Sequence, residues 1–224
     1  MLIVVEGLDG AGKSTQVKRL KEYILGTGKE LKYIHFPRYD APIYGEMISK
    51  FLRGDYGELN QVHPQLVALI YALDRKEASK EIRDALESGK IVLLDRYVYS
   101  NIAYQCSKIE DMQQRKELME WIFRLEYQEY NIPRPDINLF LDVPITFVES
   151  SLGSERVQDS GRDYLAGGKD IHEQQIEFQI GVRKVYLSAC ESDSSFIRID
   201  CSSPQGEMLS AESIFEKIRE KLPF

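Results

Sequence analysis

Residues 7–15 read Gly-Leu-Asp-Gly-Ala-Gly-Lys-Ser-Thr, and this stretch leaves the chain few folds to choose from. It fits the phosphate-binding pattern G-x-x-x-x-G-K-[ST], which needs a buried strand before it and a helix after it. Both flanks are present. Leu2, Ile3, Val4 and Val5 form a short apolar run, and Val17, Leu20 and Ile24 recur at helical spacing until Gly26 and Gly28 end the pattern. Glycines at 7, 10 and 12 let the backbone curl so that its N–H groups face inward, and the helix opening at Lys13 adds its positive end. Lys13 then reaches a β- or γ-phosphate and Ser14 can ligate Mg²⁺. The expectation is a triphosphate site made of Gly7, Leu8, Asp9, Gly10, Ala11, Gly12, Lys13, Ser14 and Thr15.

Further along, apolar runs alternate with helical patterns. Strands are expected at 31–36, 91–95, 137–142 and 195–200, and helices at 44–52, 63–88, from 98, at 112–130, from about 170, and at the C-terminus. In the helix over 63–88, Leu66, Ile70, Leu73, Ile82, Ala85 and Leu86 form the expected buried stripe. In the one over 112–130 it is Leu118, Ile122 and Leu125. In the one from 170 it is Phe178, Val182, Val185 and Ala189. Five strands alternating with helices predict an α/β fold, a five-stranded parallel doubly wound sheet flanked by helices, in one P-loop domain over 1–224. Residues 150–169, small, polar and rich in glycine, are expected to be a mobile lid loop.

Composition narrows the partners. With 43% hydrophobic residues and a net charge of −7, the chain is expected to bind neither a nucleic-acid polymer nor a membrane surface. No stretch is long and apolar enough to span a bilayer, and the expected compartment is the cytoplasm. Three irregularly spaced cysteines suggest neither a disulfide framework nor a zinc site.

Three features point to phosphoryl transfer. The apolar strand 91–95 ends in Asp95-Arg96, a magnesium-side carboxylate beside a phosphate-binding guanidinium. Arg38, Arg75 and Arg96 fall on elements that a parallel sheet brings to one edge, which suits a second, phosphate-bearing substrate. The lid carries Arg156 and Arg162 and would exclude water on closing. The Asn-Lys-x-Asp pattern of GTPases is absent, so kinase is the better class.

These residues also resemble a known family. Asp95-Arg96-Tyr97-x-x-Ser100-x-x-Ala103-Tyr104-Gln105 is similar to the signature of thymidylate kinases. So are Glu6-Gly-x-Asp9-Gly-x-Gly-Lys13-Ser, Phe36-Pro37-Arg38-Tyr39, Ala72-Leu73-Asp74-Arg75, Leu141-Asp142-x-Pro144 and Asp170-x-x-Glu173. The resemblance implies transfer of the ATP γ-phosphoryl to dTMP with Mg²⁺, by a homodimer. It implies that Asp9 lies near the acceptor phosphate and, with Ser14 and Asp95, the metal. It gives Arg38 and Arg96 the dTMP phosphate, with Phe36 and Tyr39 in that region. Tyr71 is implied to stack on thymine and Arg75 to meet its O4. Asn101 with Gln105, or Ser100, meets the remaining polar edge, and Tyr104 packs near the sugar C2′. The family carries a catalytic arginine in the P-loop or in the lid. Gly10 and Ala11 leave none in the P-loop, so Arg162 or Arg156 is the candidate. A deoxynucleoside kinase and a non-catalytic nucleotide-binding module are the alternatives.

Overall fold

The computed structural model describes residues 1–153, 165, 170–172 and 176–224. Its centre is one five-stranded, fully parallel sheet of β1 (Leu2–Gly7), β2 (Leu31–His35), β3 (Ile91–Asp95), β4 (Ile137–Asp142) and β5 (Phe196–Asp200), in the order β2-β3-β1-β4-β5. β1 and β3 are buried at every position, as strands covered on both faces must be. The register pairs Val5 with Asp95 and Gly7 with Leu141, so the loops after β1 and β3 open side by side at the carboxyl edge. Ligands bind α/β sheets in that crevice.

Eight α-helices are described: α1 (Lys13–Gly26), α2 (Tyr44–Leu52), α3 (Pro64–Glu87), α4 (Val98–Cys106), α5 (Met112–Phe123), α6 (Ile145–Gly153), α7 (Ile176–Ser192) and α8 (Ala211–Arg219). The expected stripes Val17, Leu20, Ile24 of α1 and Phe178, Val182, Val185, Ala189 of α7 are buried. Cys106 and Cys201 are buried free thiols.

Four expectations are corrected. In α3 the inward stripe is Val67, Ala68, Ala72, Ala78, Ile82 and Ala85, while Leu66 is 58% exposed and Ile70 and Leu73 are half-buried. Small residues face in because α2 and α4 both pack closely on this helix. The second correction is at the end of α5, which continues as a π-helix, Arg124–Glu129. Its wider turns, closed by Tyr130 N–H to Leu125 O at 2.9 Å, rotate Leu125 off the stripe and bring Glu126 and Tyr127 inward. The third concerns Asp170, which does not open α7. Its carboxylate accepts the His172 N–H at 2.8 Å, a local turn that competes with helix, and the described helix begins at Ile176. Finally, α6 runs to Gly153, so residues 150–153 of the expected lid are helical.

Candidate active site

The phosphate loop leaves β1 and turns through Gly10 (φ 75°) and Gly12 (φ 72°), left-handed conformations that glycine adopts without strain. The N-terminus of α1 carries neither a side-chain cap nor an acidic residue in its first turn, whereas α3, α5 and α8 are capped by His63, Asp111 and Ser210. Its N–H groups thus stay open to an anion. Lys13 lies folded into the loop, its Nζ donating to Leu8 O at 2.7 Å and Gly7 O at 3.3 Å. Burial, then the positive charge of Arg96, lowers its pKa to about 8 against the pull of Asp95, Asp9 and Glu6. A bound phosphate would replace those carbonyls with a full negative charge.

Arg96 follows β3 in a left-handed conformation (φ 68°), uncommon for a residue with a Cβ. Its guanidinium donates to Gly7 O at 2.9 Å, Ser100 Oγ at 3.2 Å and Asp9 Oδ1 at 2.5 Å, and its other face lies over the Tyr104 ring at 5.1 Å. What enforces this turn is Glu6. Fully buried at the end of β1, its Oε1 accepts the N–H groups of Tyr97 at 2.9 Å and Ser100 at 3.1 Å, capping α4 from across the sheet. Its Oε2 accepts the Ser100 and Tyr186 hydroxyls. Burial pushes this carboxyl above its ordinary range, against the hydrogen bond of Ser100 and the charge of Arg96.

Asp9 is held from both sides. Burial works against its charge, but Arg96, then Lys13, outweigh it and bring its pKa down to about 2. Gln179 of α7 reaches the same carboxylate with Nε2 at 3.0 Å. Asp95 at the tip of β3 is also held below the ordinary carboxylate range. Burial opposes its charge, and His35, 3.3 Å away, outweighs burial together with Lys13 and Arg96. Its Oδ1 is buried without a hydrogen-bond partner among the described residues.

Beyond Arg96 a pocket opens between α3, α4 and the segment after β2, where the Phe36–Pro37 peptide is cis. Tyr71 and Arg75, one turn apart on α3, face it opposite Ser100, Asn101, Tyr104 and Gln105 on α4. Arg75 is 2% exposed and gives Nε (2.5 Å) and Nη2 (2.7 Å) to the two oxygens of the fully buried Glu126. Asn101 donates Nδ2 to Ala68 O and to Glu126 Oε1, both at 3.0 Å. Both neighbours are acceptors, so that end of the amide must be the NH₂, and Oδ1 is left buried with no partner among the described residues. The Gln105 oxygen accepts Lys108 Nζ at 2.9 Å, which turns its NH₂ the other way. Deeper in, His172 stacks on Phe178 and lies against Tyr104. Burial, then the charge of Lys108, holds its pKa well below the usual value, and the Nε2 of its neutral ring has no partner among the described residues.

Comparison with known proteins adds to this geometry. The family model for thymidylate kinase matches residues 5–212. A thymidylate kinase of Mycobacterium tuberculosis is 31% identical over 187 residues, covering 83% of this chain and 84% of that one. A probable thymidylate kinase of Thermococcus kodakarensis is 33% identical over 196 residues, covering 85% and 84%. Among solved structures, a thymidylate kinase from Candida albicans superposes with a TM-score of 0.71 at 25% identity, covering 98% of this chain and 89% of that one. The chain belongs to the thymidylate kinase family.

In this thymidylate kinase family member, ten of the eleven residues expected at the acceptor line the one pocket: Asp9, Phe36, Tyr39, Tyr71, Arg75, Arg96, Ser100, Asn101, Tyr104 and Gln105. Arg38 stands apart from that lining. Its backbone N–H, Nε and Nη2 all bind Asp74, at 3.0, 2.8 and 3.0 Å, and Nη2 also binds Glu77 at 2.6 Å. Ser14 and Thr15 are exposed at the loop mouth. Arg156 and Arg162 lie outside the described residues. Missed in the sequence were Glu126, Gln179, His172 and the roles of Glu6 and Asp74. Glu6, Asp74 and Asp170 stood inside family motifs without an assigned role. Gln179 adjoins the inward-facing Phe178. Glu126 carried no signal at all.

Proposed function

We infer that this chain is a dTMP kinase: an oxygen of the dTMP phosphate attacks the ATP γ-phosphorus, the bond to the β–γ bridging oxygen breaks, and dTDP and ADP result. The observation that carries the reading is a phosphate loop and an Asp9–Arg96 pair opening onto one pocket with a hydrogen-bond donor beside an acceptor. With Nε and Nη2 held by Glu126, Arg75 has Nη1 left to offer a keto oxygen, and Asn101 Oδ1 is an acceptor for a ring N–H. That order matches O4 and N3–H of thymine and mismatches the amino group and bare N3 of cytosine.

The ATP phosphates lie along residues 7–15, with Lys13 exchanging the loop carbonyls for phosphate oxygens. Arg96 holds the acceptor phosphate, and Asp9 keeps Arg96 in place. Arg38 serves the same phosphate once drawn from Asp74, with Tyr39 and Phe36 beside it. Tyr71 stacks on the base, which makes base choice depend on the polar groups around it. Gln105 and Ser100 border the polar edge, and Tyr104 packs on the sugar. Arg162, with Arg156 as the alternative, supplies the lid cation. The partnerless Oδ1 of Asp95 and the Ser14 hydroxyl fit a Mg²⁺ that keeps waters and phosphate oxygens as its other ligands, with Asp9 nearby. The metal, when bound, neutralises charge on the transferred group.

The chain acts as a homodimer in the cytoplasm. Exposed Leu66 and Met112 on α3 and α5 support the first point, and its free cysteines fit the second. No described helix is long and apolar enough to cross a membrane.

ADP release with ATP and Mg²⁺ tests the assignment across dTMP, dUMP, dCMP, the ribose form of TMP, and thymidine. Turnover favours dTMP. Turnover of thymidine without dTMP would move the reading to a deoxynucleoside kinase, and ATP binding with no turnover to a binding module.

A further inference from the structure

One buried carboxylate holds both groups that face the base. Glu126 is fully buried and bonds through both oxygens to Arg75, and through one of them to Asn101. It comes from an element that lines none of the pocket. Within the π-helix Leu125 is only half-buried, whereas Glu126, four residues after the buried Ile122, is turned fully inward. π-Turns of this kind concentrate at functional sites.

We propose that Glu126 is a positioning residue that sets base selectivity, fixing which end of Arg75 and which end of Asn101 meets the acceptor base. The proposal rests on the dTMP reading above. With both carboxylate oxygens taken, Arg75 cannot rotate its free amino end away from the pocket, and the Asn101 amide cannot flip without setting its oxygen against Glu126 and Ala68 O. Donor and acceptor therefore keep a single order. A site whose buried polar groups are left unpaired by the wrong ligand rejects that ligand strongly. Glutamine at 126 offers one acceptor and one donor to neighbours that are all donors, so Arg75 loses one of its two bonds and the order is no longer enforced.

The test compares dTMP with 5-methyl-dCMP, which keeps the methyl group and exchanges donor and acceptor along the edge. Wild type should favour dTMP in kcat/KM by about a hundredfold or more. Glu126→Gln should narrow that ratio by about tenfold or more, through the KM for dTMP, with kcat changed by less than about threefold because the phosphate end is untouched. Glu126→Asp keeps the charge that the buried guanidinium requires and carries the test if Glu126→Gln fails to melt cooperatively. Its carboxylate is drawn back by one methylene, and it should narrow the ratio by about threefold. A wild-type ratio retained in both variants, or in the aspartate variant where that alone folds, would make Glu126 a structural ion pair and overturn the proposal. Absence of dTMP turnover in the wild-type chain would instead overturn the acceptor assignment, and this proposal with it.

Discussion

Asp9 keeps its charge in a setting that burial makes unfavourable, because Arg96 and Lys13 stand beside it. Its pKa drops from 3.8 in the unfolded chain to about 2, which corresponds to about 2 kcal/mol of stability from a side chain that is 19% exposed. The sign follows from the direction. A carboxyl with a depressed native pKa stabilises fully above its unfolded value and loses that contribution as pH falls through the native one. Urea unfolding of wild type and Asp9→Asn should therefore show a stability gap that narrows by about 1 kcal/mol between pH 6 and pH 3. A gap independent of pH would mean that Asp9 is not held by its cations. Arg96, which gains the partner, pays with a left-handed backbone at a cost of order 1 kcal/mol.

At the scale of elements, the position of α4 depends on a residue far from it in sequence. Glu6 caps this helix from β1, taking two buried N–H groups that have no side-chain cap of their own. Glu6→Gln keeps an amide oxygen for Tyr97 and Ser100 and an NH₂ that the Ser100 and Tyr186 hydroxyls can accept, so it should cost under about 1 kcal/mol. Glu6→Leu strands both N–H groups and should cost on the order of 2–4 kcal/mol, read from urea midpoints at constant m-value. Equal effects of the two changes would show that shape rather than hydrogen bonding matters at this position. The π-helix after α5 is the second such case, since its Glu126 holds Arg75 of α3 and Asn101 of α4 from behind the pocket wall.

For the molecule as a whole, the sheet order sets β1 between β3 and β4, so a loop at residue 7 and a turn at residue 96 become neighbours. The far side of α3 has a different character. Leu66 and Met112 are 58% and 71% exposed, on two helices that line a groove with Ile109, Leu118 and Trp121. Sedimentation equilibrium should give twice the monomer mass, and Leu66→Glu should weaken that association by about tenfold or more without lowering the melting temperature of the monomer. A wild-type chain that stays monomeric at high micromolar concentration would remove the homodimer from the reading.

Much of this architecture is legible in the chain itself because it rests on local rules. The glycines at 10 and 12 supply positive φ, the apolar run at 2–5 is a buried strand, and a period of 3.6 puts Val17, Leu20 and Ile24 on one face, which the sheet buries. Motif spacing likewise indicated Lys13, Asp95 and Arg96. What the chain does not reveal is whom a polar side chain meets. The sequence puts Arg75 in an arginine cluster for a phosphate, and the family resemblance implies that it meets the base. Only the folded structure shows two of its nitrogens already committed to Glu126, 51 positions away. Asp9 and Gln179 meet across 170 positions, and Leu66 faces out because α3 packs through alanines. Glycine turns and apolar runs are settled by local residues, whereas the partner of a buried charge, and with it a turn such as that at Arg96, is settled by which distant segments the sheet order brings within hydrogen-bond range.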